Sequence, residues 1–339
     1  KTLSDLMQRG CDFLGTKYAI MGGAMSWVSE RNLVAAMSNS GMFGVIACGS
    51  MPPELLEKEI AATKTLTNNP FGVNLITMHP QLDELIDICL AANVTHIVLA
   101  GGLPKGTTIK RIKEGGAKTI CFAPALVIAK KLMRSGADAL VIEGMEAGGH
   151  IGPVATSILA QEILPHVKDV PIFVAGGIGR GESIVEYLRM GASGVQLGTR
   201  FVCAEESIAH DNFKNMFIKS HARNATPSVQ IDPDFPVIPV RAIENKATDA
   251  FTKMQIETIK RHQSGELDKM EAQLEIEHFW AGALRKAVID GDIENGSVMA
   301  GQSVGLVDKI QPLNEIIGEM VNDAESELQR LKGISLSKK

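Results

Sequence analysis

What this chain lacks narrows the field before any motif is considered. No apolar run reaches the roughly 18 residues that span a bilayer. The opening stretch, "KTLSDLMQRG", lacks the pattern of a secretion signal. Positive charge is not in excess: 34 Lys and Arg stand against 39 Asp and Glu, a net charge of −5, which excludes a globally basic surface for nucleic acid. The five cysteines, Cys11, Cys48, Cys89, Cys121 and Cys203, are scattered, odd in number and without Cys-x-x-Cys spacing. That argues against a disulfide framework or a zinc site and for a reducing compartment. The histidines show no metal-ligand spacing either. These absences set the expectation of a cytoplasmic protein with no metal, membrane or nucleic-acid partner.

What is present is a rhythm. Short apolar, β-branched runs ("YAIMGG", "GVIACG", "FGVNLI", "HIVLAG", "KTICFA", "ADALVIEG", "PIFVAGG", "GVQLG") recur from Tyr18 to Gly198. Amphipathic stretches such as "PELLEKEIAATKTL" and "PQLDELIDICLAA" lie between them. Continuous apolar strands belong to a parallel sheet covered on both faces. Eight evenly spaced units predict an α/β protein built on a closed (β/α)8 TIM barrel in preference to an open doubly wound sheet. Residues 1–205 are assigned to the barrel, completed by a C-terminal helix at about 303–333, and 206–302 to a smaller, mostly helical lid or substrate domain.

A barrel of this kind carries its active site at the C-terminal ends of the strands. Small residues gather there: "MGGAM", "CGS", "AGG" twice, "EAGGH" and "GTR". Glycine makes tight turns, and it also lets backbone amides approach a ligand with no Cβ between them. Repeated at six strand ends, it suits a backbone-lined floor for a planar ligand. "AGGIGRGES" opens a helix at about Gly181 and "QLGTRF" closes the eighth run, the place where such barrels bind phosphate. Thr199 adds a hydroxyl; Arg200 adds either a charge to that site or an outward ion pair. Dinucleotide and nucleotide-loop motifs fail, since Glu182 replaces the last glycine of one and Thr107 the lysine of the other.

"GGAMSWV", "PFGVNL", "EGMEAGGHIG", "VAGGI", "GTRF" and "GSVMAGQ" resemble the nitronate monooxygenase (2-nitropropane dioxygenase) superfamily, most closely its FMN-dependent enoyl-acyl-carrier-protein reductase II branch. The resemblance runs from about Tyr18 to Lys332 and implies an FMN-binding barrel with NADH or NADPH as electron donor. It places Gly22 and Gly23, with the inserted Ala24, under the flavin ring, and Asn74 at a hydrogen bond to the isoalloxazine. Glu143, Gly148 and Gly149 line the flavin, and Gly176, Gly177, Gly198 and Thr199 form its phosphate cradle. Ser297, Met299 and Gln302 fall in the segment that closes over the site, and His150 stands at the reacting centre. The second strand departs from the family's glycine-rich pattern as "SGMFGVIACG", so Met42 and Phe43 are expected to narrow the pocket.

The activity this implies is hydride transfer from NAD(P)H through FMN to an enoyl thioester, a small-molecule substrate that the branch presents on acyl carrier protein. His150 would assist the enolate, since imidazole exchanges protons near neutral pH. Oxidation of alkyl nitronates with O2 and NAD(P)H:quinone reduction stand as alternatives. A flavin-free isomerase or aldolase would need a barrel lysine or paired carboxylates at strand ends, which are not found. A homodimer is compatible with the resemblance.

Overall fold

The structure, a computed structural model, describes residues 2–337, with side chains described to Gly333. Its parallel strands are β1 (Ile20–Gly22), β2 (Gly44–Ala47), β3 (Phe71–Ile76), β4 (His96–Ala100), β5 (Lys118–Phe122) and β6 (Ala139–Glu143). After a two-residue strand outside the barrel, β7 (Gly149–His150), come β8 (Ile172–Ala175) and β9 (Gly194–Leu197). The sheet order is β1-β9-β8-β6-β5-β4-β3-β2. A bridge between Met21 and Phe43 closes the last seam, with Gly22 N–H donating to the Phe43 carbonyl at 2.8 Å. Every residue of β2, β8 and β9 is buried, as a sheet covered on both faces requires.

Helix α1 (Leu3–Leu14) precedes the barrel; α2 (Arg31–Asn39), α3 (Pro53–Leu66), α4 (Leu82–Ala91), α5 (Gly106–Glu114), α6 (Leu126–Arg134), α7 (Thr156–Ile163) and α8 (Gly181–Met190) wrap it. In α3, Leu56, Ile60 and Thr63 are buried, one face of a helical repeat.

The barrel's N-terminal end is plugged with aromatic rings. Phe43 and His96 meet edge to face at 4.9 Å, and Phe13 of α1 packs on both His96 and Phe173. His96 Nε2 donates to the Phe13 carbonyl at 2.8 Å, which leaves Nδ1 to accept from the Thr95 hydroxyl, also at 2.8 Å. Met42 and Phe43 therefore do not narrow the pocket. They precede β2, at the end opposite the mouth, and are wholly buried in the plug.

Beyond β9 come α9 (Asp211–Lys219), β10 (Ala225–Pro227), β11 (Val240–Ile243), α10 (Lys246–Gln263), α11 (Lys269–Val288), β12 (Val298–Met299) and α12 (Leu313–Ser337). The C-terminal helix begins at Leu313 because Pro312 restricts the residue before it; Gln302–Leu306 form only a 3-10 turn. The helices α10 and α11 share an apolar core in which Phe251 and Trp280 meet at 4.1 Å. Beside them lies a small antiparallel sheet that helical periodicity did not announce: β11 pairs with β10, β12 and β7. The loop after barrel strand β6 is thus stitched to this second segment, with His150 opposite Val240.

The helix α11 reaches over the mouth. Glu277 meets His150, in the loop after β6, and the Arg285 guanidinium lies 5.7 Å from the ring of Trp27, in the loop after β1. The eight residue steps from 277 to 285 span about 12 Å at 1.5 Å per residue. Trp27 is held at φ 67°, a strained conformation for so bulky a residue.

Candidate active site

The ends of β8 and β9 form a pocket of free backbone donors. Gly176 has φ 99°, and a Cβ there would stand 2.8 Å from the Thr156 hydroxyl and 2.9 Å from the Gly144 carbonyl, so only glycine lets the chain turn here. The amides of Gly176, Gly177, Gly198 and Thr199 donate to no protein acceptor among the described residues. Helix α8 starts at Gly181 with no cap from Arg180, and the Glu182 carboxylate takes its own amide, which leaves the Gly181 and Ser183 N–H groups of the first turn open to an anion. Arg200 is buried and takes the ion-pair alternative through one nitrogen, with Glu319 of α12 at 3.3 Å, while its Nε and Nη1 have no partner among the described residues.

Two carboxamides stand at the barrel's mouth with nothing in the protein to bond. Asn74 in β3 is 6% exposed and Gln196 in β9 is 7% exposed, and neither side chain has a hydrogen-bond partner among the described residues. Their polar atoms are not fully buried, so both carboxamides are open to a ligand at the mouth. Gln196 Nε2 lies 3.6 Å from where a Cβ on Gly23 would sit. Of the glycine pair, Gly23 faces this group, with Ala24 half-buried next to it, whereas Gly22 is turned toward Met37 of α2.

The "EGMEAGGHIG" loop is bolted in place from three sides. A Cβ on Gly148 would stand 2.6 Å from the Ala300 carbonyl carbon and the Gly301 nitrogen, so the "GSVMAGQ" segment lies directly against it. Gly301 N–H donates to the Thr199 hydroxyl at 2.9 Å, and Gln302 N–H donates to the Glu146 carbonyl at 2.9 Å. The Glu146 carboxylate accepts from the Thr156 amide at 2.9 Å and hydroxyl at 2.8 Å, capping α7. Buried Arg241 of β11 donates to the Met145 carbonyl at 2.9 and 2.8 Å and to the Ala225 carbonyl at 2.6 Å. Met299 Sδ approaches the position of a Cβ on Gly149 at 3.6 Å, while Ser297 is buried under α11, its N–H donating to Ala283. The structure thereby gathers Gly148, Gly149, Gly176, Gly177, Gly198, Thr199, Met299 and Gln302 at the mouth, with Gly23 and Gln196 beside Gly198 and Asn74 on β3.

Glu143 ends β6 and, with Gly101, Gly102, Leu103, Phe122, Pro124, Ile128 and Gly152, lines a cavity of about 280 Å³. Burial among apolar walls pushes its carboxyl up to about 7, against the attraction of His150. His150 itself is half-exposed and faces Glu277 of α11. Burial pushes four of the five thiols, Cys48, Cys89, Cys121 and Cys203, up to about 12, and raises partly buried Cys11 as well.

The donor set fits flavin mononucleotide. Free amides at two strand ends and a helix N-terminus suit one phosphate, and unpartnered carboxamides suit the polar edge of a flat ring. Gln196, Glu146, Arg241 and Glu277 were missed in the sequence. A lone glutamine inside the apolar run "GVQLG" was the signal for the first; the other three carry no local mark, because their partners lie far along the chain.

Comparison with known proteins adds a family. The nitronate monooxygenase family model matches residues 8–88 and 81–323. FabK from Thermotoga maritima superposes with a TM-score of 0.86 at 34% sequence identity, over 96% of this chain and 98% of that one. A (3aS,4S,5R,7aS)-5-hydroxy-7a-methyl-1-oxo-octahydro-1H-indene-4-carboxyl-CoA dehydrogenase of Rhodococcus jostii is 29% identical, over 97% of this chain and 99% of its own. A probable nitronate monooxygenase of Staphylococcus aureus is 27% identical, over 93% of this chain and 97% of its own.

Proposed function

Because the chain belongs to the nitronate monooxygenase family and is an oxidoreductase, we propose that it is an FMN-dependent reductase of α,β-unsaturated acyl thioesters, with NADH or NADPH as electron donor. Bound FMN would supply hydride transfer from the nicotinamide to the β-carbon of the thioester. The amides of Gly176, Gly177, Gly198 and Thr199 would hold its phosphate, and Asn74 and Gln196 the polar edge of its ring. His150 would exchange a proton with the substrate as the enolate forms. Residues 206–302 act as a lid, with α11 and Trp27 limiting water at the mouth.

The observation that carries the thioester reading is the likeness to FabK, at 34% identity over 96% of this chain, and the apolar cavity beside Glu143 and Gly152 is compatible with it. The CoA thioester in the Rhodococcus relative's name points the same way. Acyl carrier protein and CoA are the two carriers to compare. Nitronate oxidation is the second reading, favoured by the Staphylococcus relative's name.

His150→Ala tests the proposal. The variant should keep its flavin and its reduction by NAD(P)H, while the step that consumes an enoyl thioester slows about 10²–10⁴-fold, the share of a positioned acid or base. The flavin absorbance reports the two half-reactions separately under anaerobic stopped flow. Reoxidation of the wild-type reduced enzyme by alkyl nitronates or oxygen but by no enoyl thioester would overturn the reading.

A further inference from the structure

The geometry points to Glu277 as the positioning residue of His150: it fixes the imidazole's tautomer so that Nδ1 is the atom left to act. The inference rests on the role proposed for His150. Glu277 Oε2 lies 3.2 Å from His150 Nε2, and the pairing joins the lid helix α11 to the loop after β6. A carboxylate only accepts hydrogen bonds, so Nε2 carries the hydrogen and Nδ1 keeps its lone pair. Both ends of the contact are held by backbone. His150 is fixed by its ladder opposite Val240, and Glu277 sits between Ile276 and Trp280, both buried in the α10–α11 core.

Glu277 has His150 as its sole side-chain hydrogen-bond partner among the described residues. That bond draws the carboxyl below its ordinary range. The titratable groups that bear on His150 are therefore Glu277 from the lid and Glu143 from β6. Glu143 lies in the cavity wall and feels the charge of His150, while the Glu277 carboxylate of α11 touches the ring directly. A lid that supplies the orienting carboxylate assembles the reacting group only when α11 is in place over the mouth.

Three variants separate the roles: Glu277→Ala, Glu277→Gln and His150→Ala. The first readout is ¹⁵N NMR of histidine-labelled protein at alkaline pH, with the His150 signals assigned by their loss in His150→Ala. We expect the Nε2–H tautomer in the wild type and in Glu277→Gln, whose amide oxygen still accepts, and a loss of that preference in Glu277→Ala. The second readout is the oxidative half-reaction. Glu277→Ala should slow it about ten- to hundredfold, the usual cost of losing a histidine's orienting partner. Glu277→Gln should recover much of that loss, and flavin reduction should not change. A wild-type tautomer in Glu277→Ala, or a normal oxidative rate in that variant while His150→Ala is impaired, overturns the inference. An unimpaired His150→Ala overturns the role of His150 itself and this inference with it.

Discussion

The histidine plugged into the barrel's closed end should make the fold acid-sensitive by a calculable amount. His96 is 3% exposed, bonded at both ring nitrogens, and burial pushes its pKa down from 6.5 to about 4. Between those two values the unfolded chain takes up a proton that the folded chain refuses, so stability falls as the pH is lowered through the window. It is complete above 6.5 and lost in full below 4. At about 1.4 kcal/mol per pH unit, the whole gap comes to roughly 3 kcal/mol, of which about 2 kcal/mol is lost by pH 5. So deep a group needs no discount for solvent screening. The assay is urea unfolding followed by circular dichroism, for wild type and His96→Gln, at pH 7.5, 6.5, 5.5 and 5.0. Glutamine can still donate to the Phe13 carbonyl but does not titrate, so its own cost is constant with pH. The stability difference between the two proteins should shift by about 2 kcal/mol in favour of the variant from pH 7.5 to 5.0. A difference that stays flat would refute the argument, and would mean either that the plug opens to admit water or that the unfolded state also shields this ring.

Thr199→Val should weaken flavin binding about tenfold to a hundredfold, through the loss of a hydrogen bond to a charged phosphate worth roughly 1.5–3 kcal/mol. Part of that loss is indirect, because the Gly301 amide also loses its acceptor; titration of the apoprotein with FMN measures it. Gln196→Leu should cost about tenfold in the same titration yet leave the flavin-free protein equally stable or more so, because its amide makes no protein hydrogen bond to lose. A large drop in the melting temperature of the flavin-free variant would mean that Gln196 is structural. Arg241→Met should lower stability by about 3–5 kcal/mol and loosen the flavin, since it strips the hydrogen bonds from two buried carbonyls; thermal unfolding and flavin release report it.

The barrel was legible in the sequence because it is built from local pattern. Eight apolar runs with amphipathic stretches between them allow few arrangements, and the strand-end glycines mark the mouth on any of them. The helix that begins at Gly181 and the free amides beside it follow from a single contiguous stretch, "AGGIGRGES". Phe43 was misplaced for a topological reason. The residue lies just before β2, and the end of a barrel at which a side chain sits depends on where its strand begins, which the apolar run "GMFGVIACG" does not mark.

By itself the sequence determined the fold class, the cluster of strand-end glycines and the presence of an imidazole among them. Only the tertiary structure decided what those glycines touch and what the imidazole faces. Gly148 lies against Gly301 and Arg241 grips the Met145 carbonyl, each across about a hundred residues or more of chain. His150 meets Glu277 at a separation of 127 residues. Contacts of that span leave no periodicity and no spacing rule, because closing a long loop costs little more entropy than closing a shorter one and so does not constrain where along the chain the partner lies.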